Sequence, residues 1–505
     1  MRNKFIFKYF VKTMTNILSF FLLLGCVYLP LDLNAQDAKK LTLDDVLSLA
    51  KSQSPDALKA KHRYRSTYWE YRSFKAGYLP LLSMDATIPE INRSISKITL
   101  PDGSDAFMKR SLSNASVNMA LTKNIGLTGG QLFLSSGVQR MDNFTDSTVT
   151  SYLSTPINIG FRQPLLGYNQ YRWEKKIEPL KYDEAKRQYL EDLEELSITA
   201  TNLFFELLKA QVNIEINKIN QANNDTLFKI AQGRYNLGKI AENELLQMEL
   251  SLLNSNSELE QSKIDYEVAL FKLKSYLGIK DNEKIDLVLP TKLYEIQIDY
   301  KTALDQAKAN RSDALAFERQ KLEAQSAVNK SKAENRFNAN LYAIYGLTQS
   351  AAGFTEVYKN PQDQQQFSVG VQIPILDWGV GKGKVKMAES NYDLVKTTVA
   401  QEEVDFEQEI FLKVMDFNMK KSQLLIAAKA DTVGQKRFMV AKQRYLIGKI
   451  DITELNIAQS EKDVAKKSYF NALQLFWKGL YEMRKLTLFD FIENKAISFD
   501  YKLLQ

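Results

Sequence analysis

The sequence predicts an α+β membrane protein in which amphipathic strands alternate with helices too long for a globule. Three observations support this fold class. A long segment of the chain repeats internally, its strand regions alternate apolar with polar residues, and its helical regions carry one apolar seam over many turns. Two copies of one strand-and-helix unit therefore account for most of the 505 residues.

The internal repeat is clearest around Arg234. Residues 233–240 read Gly-Arg-Tyr-Asn-Leu-Gly-Lys-Ile, and 210 positions later residues 443–450 read Gln-Arg-Tyr-Leu-Ile-Gly-Lys-Ile. Upstream of the strands the offset becomes 257, so the first copy holds about 47 extra residues between its strand regions. We expect repeats at 36–290 and 291–505, each a helix, two strands, a very long helix, a tight turn and a shorter helix.

Apolar residues at spacings of three and four predict the long helices. In the first copy the seam runs through Leu193, Leu196, Ala200 and Leu203, and we expect a helix from about Tyr182 to Leu237. Its counterpart runs from about Lys384 to Ile447. At a rise of 1.5 Å per residue these helices are roughly 80 and 95 Å long, which indicates extended coiled-coil packing.

The strand regions alternate apolar with small or polar residues. Ile157, Ile159 and Phe161 alternate with polar neighbours in the first copy, as do Phe367 and Val369 in the second. A soluble sandwich buries such an apolar face, whereas a membrane barrel turns it to lipid. Alternation alone favours the sandwich, but an export signal and very long helices favour the barrel.

Residues 1–35 are predicted to be a secretory signal peptide, with a basic start followed by an apolar stretch. Cleavage after Ala35 fits the small-residue rule. Alternatively, Leu23-Leu24-Gly25-Cys26 resembles a lipobox in which Cys26 becomes lipidated, and both routes stay open. No later stretch has the roughly 18 uncharged apolar residues of a membrane helix, so any membrane span is expected to be β.

Composition argues against an enzyme or a nucleic-acid-binding protein. His62 is the single histidine and Cys26 the single cysteine, so neither a nucleophilic triad nor a His/Cys metal site is expected. The net charge of +7 is small and dispersed along the chain, which does not indicate nucleic acid binding. We expect no catalytic residue, no metal and no cofactor.

Taken in order, these motifs resemble the TolC-like outer-membrane efflux proteins. The resemblance covers about Leu41 to Leu488, and no single motif carries it. The motifs are the Arg-Tyr-x-x-Gly-Lys-Ile turns at 234 and 444, Tyr78-Leu79-Pro80, Gln163-Pro164-Leu165-Leu166 and Ile373-Pro374-Ile375-Leu376.

The resemblance implies an outer-membrane β-barrel joined to a periplasmic α-helical coiled-coil barrel. In such proteins three identical chains each lend four strands to a barrel in outer-membrane lipid. The resemblance further implies a passive channel subunit of a tripartite efflux or type I secretion system. Its partners would be a periplasmic adaptor (membrane fusion) protein and an inner-membrane transporter. Neither cargo nor pump class follows from the sequence.

The same resemblance implies roles for the two turns. Gly238, Lys239 and Ile240 would form one adaptor-contacting helix tip, and the second tip contains Gly448, Lys449 and Ile450.

Two acidic residues follow these tips. Glu454 falls on an acidic position of the family's periplasmic entrance, and Glu244 matches it in the first copy. The companion position of the family falls on Ile457, so fewer charges are expected here. Asp451-Ile452-Thr453-Glu454 also spells a capping box, so Glu454 has a purely structural alternative.

Two questions stay open from the sequence. The extra residues at about 95–150 form either additional barrel strands, lengthened strands or an external hairpin. The alternative for the whole chain is a periplasmic coiled-coil adaptor or scaffold without a pore, and the duplicated amphipathic strands argue against it.

Overall fold

The computed structural model describes residues 39–144, 147–279, 285–290 and 295–504. The predicted signal peptide, including Cys26, lies outside the described residues. The first half of the chain contains, in order, β1 (Lys39–Leu41), α1 (Leu43–Gln53), α2 (Pro55–Ala76), β2 (Leu81–Thr99), β3 (Asp105–Ile125), β4 (Gly130–Phe144), β5 (Thr148–Pro164), α3 (Gln170–Asn236), α4 (Glu242–Leu277) and β6 (Ile285–Leu287).

The second half repeats the helical part of this order with fewer strands. It contains α5 (Tyr300–Asn310), α6 (Ser312–Glu334), β7 (Asn338–Ala351), β8 (Gln362–Gln372), α7 (Val380–Leu446), α8 (Ile452–Thr487), β9 (Phe489–Asp490) and β10 (Lys495–Ala496). Short 3₁₀ turns lie at Glu356–Tyr358 and Tyr501–Leu504.

Two long helical hairpins form most of the molecule. Helices α3 and α7 have 67 residues each, and α4 and α8 have 36 each. Each 67-residue helix is about 100 Å long. Helix α3 begins at Gln170, so the predicted start near Tyr182 was wrong. Asn169 caps α3 by accepting a hydrogen bond from the Arg172 N–H, and Pro179 lies within the helix.

The four helices lie side by side in the order α4, α3, α8, α7. Helices α1 and α2 pack on α3, while α6 packs on both α3 and α7. The largest apolar cluster lies where α1 and α5 meet the long helices, and Phe204, Phe205, Phe417 and Phe476 are fully buried in it. Strand β1 pairs in parallel with β6 beside this cluster. Helix α4 and helix α7 are thus the two edges of the layer.

The remaining long strands form one antiparallel sheet in the order β2-β3-β4-β5-β7-β8. The resemblance implies four barrel strands per chain, whereas the sheet of the described residues has six, because the extra residues of the first copy form β3 and β4. Both strands lie in the middle of the sheet: β3 pairs with β2 and β4, and β4 pairs with β5. The insertion therefore adds strands, and the alternative of a hairpin outside the sheet is excluded for this chain.

The pairing register separates the two faces of the sheet. Residues opposite each other on neighbouring antiparallel strands share a face. One cross-strand row is apolar, running through Leu82, Leu121, Leu134, Ile159 and Tyr345.

The adjacent row lies on the opposite face and is small or polar. It runs through Ser83, Ala120, Ser135, Asn158, Gly346 and Gln364. Along these two rows, one face of the sheet is apolar from β2 to β7 and the other is small or polar.

Within the described residues, none of the helices combines the length and the apolar character that crossing a bilayer requires.

Candidate functional site: the two helical turns

Both long hairpins reverse direction through the same hydrogen-bonded turn. After α3, the Gly238 N–H donates to the Tyr235 carbonyl (2.8 Å) and the Lys239 N–H to the Arg234 carbonyl (2.9 Å). The turn after α7 repeats this pattern from Gly448 and Lys449. These two bonds define the Schellman motif, which requires a left-handed residue that is usually glycine. Gly238 and Gly448 supply it, with φ of +70° and +75°.

Each turn exposes a lysine and a large apolar side chain to solvent. Lys239 and Lys449 are exposed. Leu237 and Ile447, which directly precede the glycines, are 75% and 67% exposed. Sequence reasoning missed these two residues, because neither belongs to the segment identical in both copies.

The isoleucines of the turns lie differently from Leu237 and Ile447. Ile240 and Ile450 are half-buried and pack against an apolar cluster below the turns. The predicted tip surface is thus partly structural. Its outermost apolar side chains belong to the residues before the glycines.

Arg234 joins the two turns. Its guanidinium donates to the Leu446 carbonyl (2.9 Å) and lies 5.3 Å from the centre of the Tyr445 ring. It therefore satisfies a carbonyl at the end of α7, where the partial negative charge of the helix terminus favours a cation. Arg234 itself lies in the last turn of α3, so the carbonyl that it satisfies belongs to the neighbouring long helix.

Tyr445 fills the space between the two hairpins. Its ring is 4% exposed and belongs to a cluster with Leu227, Ala231 and Met248 of the first hairpin. Burial raises the pKa of the Tyr445 hydroxyl, the nearby Arg234 cation opposes that change, and the Glu244 carboxylate adds to it. Glu244 thus faces the contact between the turns and is half-buried.

Glu454 has a different environment from Glu244. It is exposed, and its backbone N–H donates to the Asp451 carboxylate at 2.9 Å. Asp451 therefore caps α8, and among the described residues only this half of the predicted capping box is formed, through the backbone of Glu454. The Glu454 side chain lines an open groove together with Arg444.

Nothing in the described residues suggests a metal centre, since no group of three or more His, Cys, Asp or Glu side chains is arranged to hold an ion.

The fold is that of solved outer-membrane channels. The CmeC outer-membrane channel of Campylobacter jejuni has a TM-score of 0.63 and 16% identity, covering 91% of this chain and 88% of that one. The outer-membrane protein VceC of Vibrio cholerae has a TM-score of 0.63 and 14% identity, covering 90% of this chain and 97% of that one. The outer-membrane channel OprN has a TM-score of 0.62 and 15% identity, covering 88% of this chain and 89% of that one.

No protein-family model matches the sequence, and no curated protein does. The structural likeness is therefore a likeness of fold. It confirms the resemblance to TolC-like channels that the turns and strand ends predict.

Proposed function

We propose that this chain is one subunit of a homotrimeric outer-membrane export channel. Its sheet contributes to a β-barrel in the lipid, and its helices form a periplasmic tunnel. One observation carries this proposal: a sheet with one apolar and one polar face continues directly into a helical layer about 100 Å long. Lipid against the apolar face and water against the polar face explain both surfaces together.

The edges of the chain support assembly with copies of itself. Strands β2 and β8 each have one unpaired side, and unpaired strand edges are not tolerated in lipid. Helix α4, one edge of the helical layer, carries exposed apolar side chains at coiled-coil spacing: Leu246, Leu250, Leu253, Ile264, Val268 and Phe271. Helix α7, the other edge, carries another row: Leu394, Val404, Phe411, Met415, Met419, Leu425 and Val433.

In this proposal the chain is a passive conduit, not an enzyme. An inner-membrane transporter supplies the driving force, and a periplasmic adaptor contacts the turns. The exposed cation and apolar side chain of each turn, at Lys239 with Leu237 and at Lys449 with Ile447, suit a helical protein partner. Glu454 and Glu244 are proposed to set the charge of the periplasmic entrance, and Glu454 is the more accessible of the two.

The test is fractionation of the cell envelope followed by conductance in a planar bilayer. We expect the protein in the outer-membrane fraction and stepwise, cation-preferring currents. Glu454→Gln should lower the preference for cations, because it removes one carboxylate per copy. The control Glu267→Gln removes an exposed carboxylate on α4, far from the turns, and should leave selectivity unchanged.

A water-soluble protein without conductance would refute the channel. That result would instead favour the scaffold without a pore. Unchanged selectivity in Glu454→Gln would refute the entrance role alone.

A further inference from the structure

The two hairpins differ at one place where their sequences agree. Tyr445 is 4% exposed, whereas Tyr235, at the matching position of the first turn, is 39% exposed. Arg234 contacts the second turn, but the side chain of Arg444 at the matching position is exposed, and its guanidinium has no hydrogen-bond or ion-pair partner among the described residues. Tyr235 and Arg444 therefore do not form, within the described residues of one chain, the kind of contact that Tyr445 and Arg234 form.

The site that holds Tyr445 consists of residues from one face of the first hairpin. They are Leu227, Ala231, Arg234, Glu244 and Met248. At the 210-residue offset the second hairpin offers Arg437, Ala441, Arg444, Glu454 and Ala458.

These five residues of the second hairpin line one open groove. We call it the Arg444 groove. It has the position of the Tyr445 site but holds no ring.

We infer that the Arg444 groove receives Tyr235 from a second copy of this chain. Arg444 then donates to the carbonyls at the end of α3 of that copy, as Arg234 does at the end of α7. This inference rests on the proposed assembly of identical chains. The first turn of each copy is incomplete without Arg444 of its neighbour, and three copies give a closed ring of six alternating contacts.

Chemistry at the groove fits a tyrosine. Ala441 and Ala458 leave space where larger side chains would fill it, and Arg444 and Arg437 offer cations for the face of the ring. Glu454 takes the place that Glu244 has beside the Tyr445 hydroxyl. The exposed ring of Tyr235 would lose its contact with water in this site, which favours the association.

The test uses pairs of cysteines and a short bifunctional thiol reagent in outer-membrane vesicles. Tyr235→Cys with Ala441→Cys should give covalent dimers and trimers on a denaturing gel. The matched pair Tyr445→Cys with Ala231→Cys should react within one chain and leave it at monomer mass. A sample without added cysteines measures any background from Cys26.

Two results would overturn the inference. One is a conducting, trimeric protein in which the intrachain pair reacts and the interchain pair does not, which would leave the proposed channel intact. The other is a monomer without conductance, which would remove the proposed function as well. As a second readout, Arg444→Met should weaken the trimer against heat in detergent, whereas Arg444→Lys should restore part of the loss.

The strand count carries an independent inference about channel width. In the part of the chain that the structure describes, six long strands form one sheet, and an even number leaves β2 and β8 antiparallel to each other. Strand β2 of one copy can therefore pair with β8 of the next in the same antiparallel manner as every internal pair. Strands β3 and β4 have their apolar and polar residues on the same two faces as the neighbouring strands, so they can form part of the barrel wall.

We propose that three copies close an 18-stranded wall, not the 12-stranded wall that four strands per chain would give. With strands about 4.8 Å apart and tilted by about 40°, 12 strands give a diameter of about 24 Å and 18 strands about 36 Å. Within the described residues, the helical layer still has four long helices per copy. The outer end of the channel is then wide enough for bulky or folded cargo, and the helical end sets the size limit.

Cysteine pairs across the strand edges test the count. Ser83→Cys on β2 with Ser368→Cys on β8 should link neighbouring copies, and the β2 position can be moved to Thr87 to search the register. Ser135→Cys on β4 with Ser368→Cys should not link them, because β4 is internal to the wall. Linkage through β4 would show a four-stranded contribution with β2 and β3 outside, and would overturn the proposal. Electron microscopy of the trimer gives the strand count directly.

Discussion

The helical layer and the sheet differ in how much apolar surface one chain buries. The middle of the layer has a core in which Phe204 and Phe476 have 0% and 1% of their surface exposed. In the sheet, Leu82 and Phe367 are 62% and 71% exposed on the apolar face. A single chain therefore stabilises its helices by internal packing, whereas its sheet depends on what surrounds it. Stability of the two parts should respond to different substitutions and different solvents.

The largest effect is expected in the helical core. Phe204→Ala removes a fully buried ring and leaves a cavity, so it should cost about 3–5 kcal/mol of unfolding free energy. Phe107→Ala truncates a ring that is 80% exposed in the β2–β3 hairpin and should change stability little. Chemical denaturation of the purified protein, followed through its helical circular dichroism, compares the two. Equal losses would contradict the proposed difference between layer and sheet.

The next largest effect is expected when a charge is placed on one face of the sheet or on the other. Leu134→Lys places a cation on the apolar face and should cost about 2–4 kcal/mol if that face meets lipid. Ser135→Lys, the next residue, places the same charge on the polar face and should cost far less. Folding into lipid vesicles at increasing urea concentration measures both. If the two variants unfold together, the apolar face does not face lipid.

A smaller effect is expected at the turns. Gly238→Ala and Gly448→Ala introduce a side chain at a left-handed φ, at a cost of about 1–2 kcal/mol each. Gly233→Ala, in open space within α3, should instead stabilise by about 0.5–1 kcal/mol, because alanine favours helix. Thermal unfolding of the three variants ranks their stabilities against that of the wild type. Stabilisation by Gly238→Ala would show that the turn does not need its left-handed residue.

The smallest expected effect is a change of stability with pH, caused by the buried Glu191 in the helical layer. Burial raises the pKa of Glu191, although the Ser312 N–H donates to its carboxylate at 2.8 Å. A raised pKa favours the protonated form in the folded protein. The stability that protonated Glu191 contributes is fully present below the ordinary glutamate pKa of 4.5. It is lost as the pH rises through the raised pKa of Glu191 in the folded protein.

Glu191→Gln should therefore be more stable than the wild type at neutral pH and equal to it near pH 4. Thermal unfolding across this pH range measures the difference. Glu195→Gln, at an exposed carboxylate paired with Lys485, provides the control without this pattern. A difference that is independent of pH would exclude the Glu191 carboxylate as its cause.

The sequence determined the elements whose signals are local. Apolar spacing predicted both long helices, and the paired Arg-Tyr-x-x-Gly-Lys-Ile segments predicted both turns, with glycine at the left-handed position. The alternation in β5 and β8 predicted a sheet with two unlike faces. These signals act within a few residues, so they can be read without the rest of the chain. The start of α3 was missed because Pro179 conceals it.

Tertiary structure alone decided how the repeated elements meet. The sequence left the insertion at about 95–150 open between additional strands, lengthened strands and an external hairpin, and only the pairing of β3 with β2 and β4 placed it inside the sheet. Likewise, Arg234 and Arg444 each precede a tyrosine and a Gly-Lys-Ile turn, yet among the described residues only the Arg234 guanidinium reaches the other turn. Contacts between distant segments depend on register and on which edge each hairpin occupies, and neither is encoded in a local pattern.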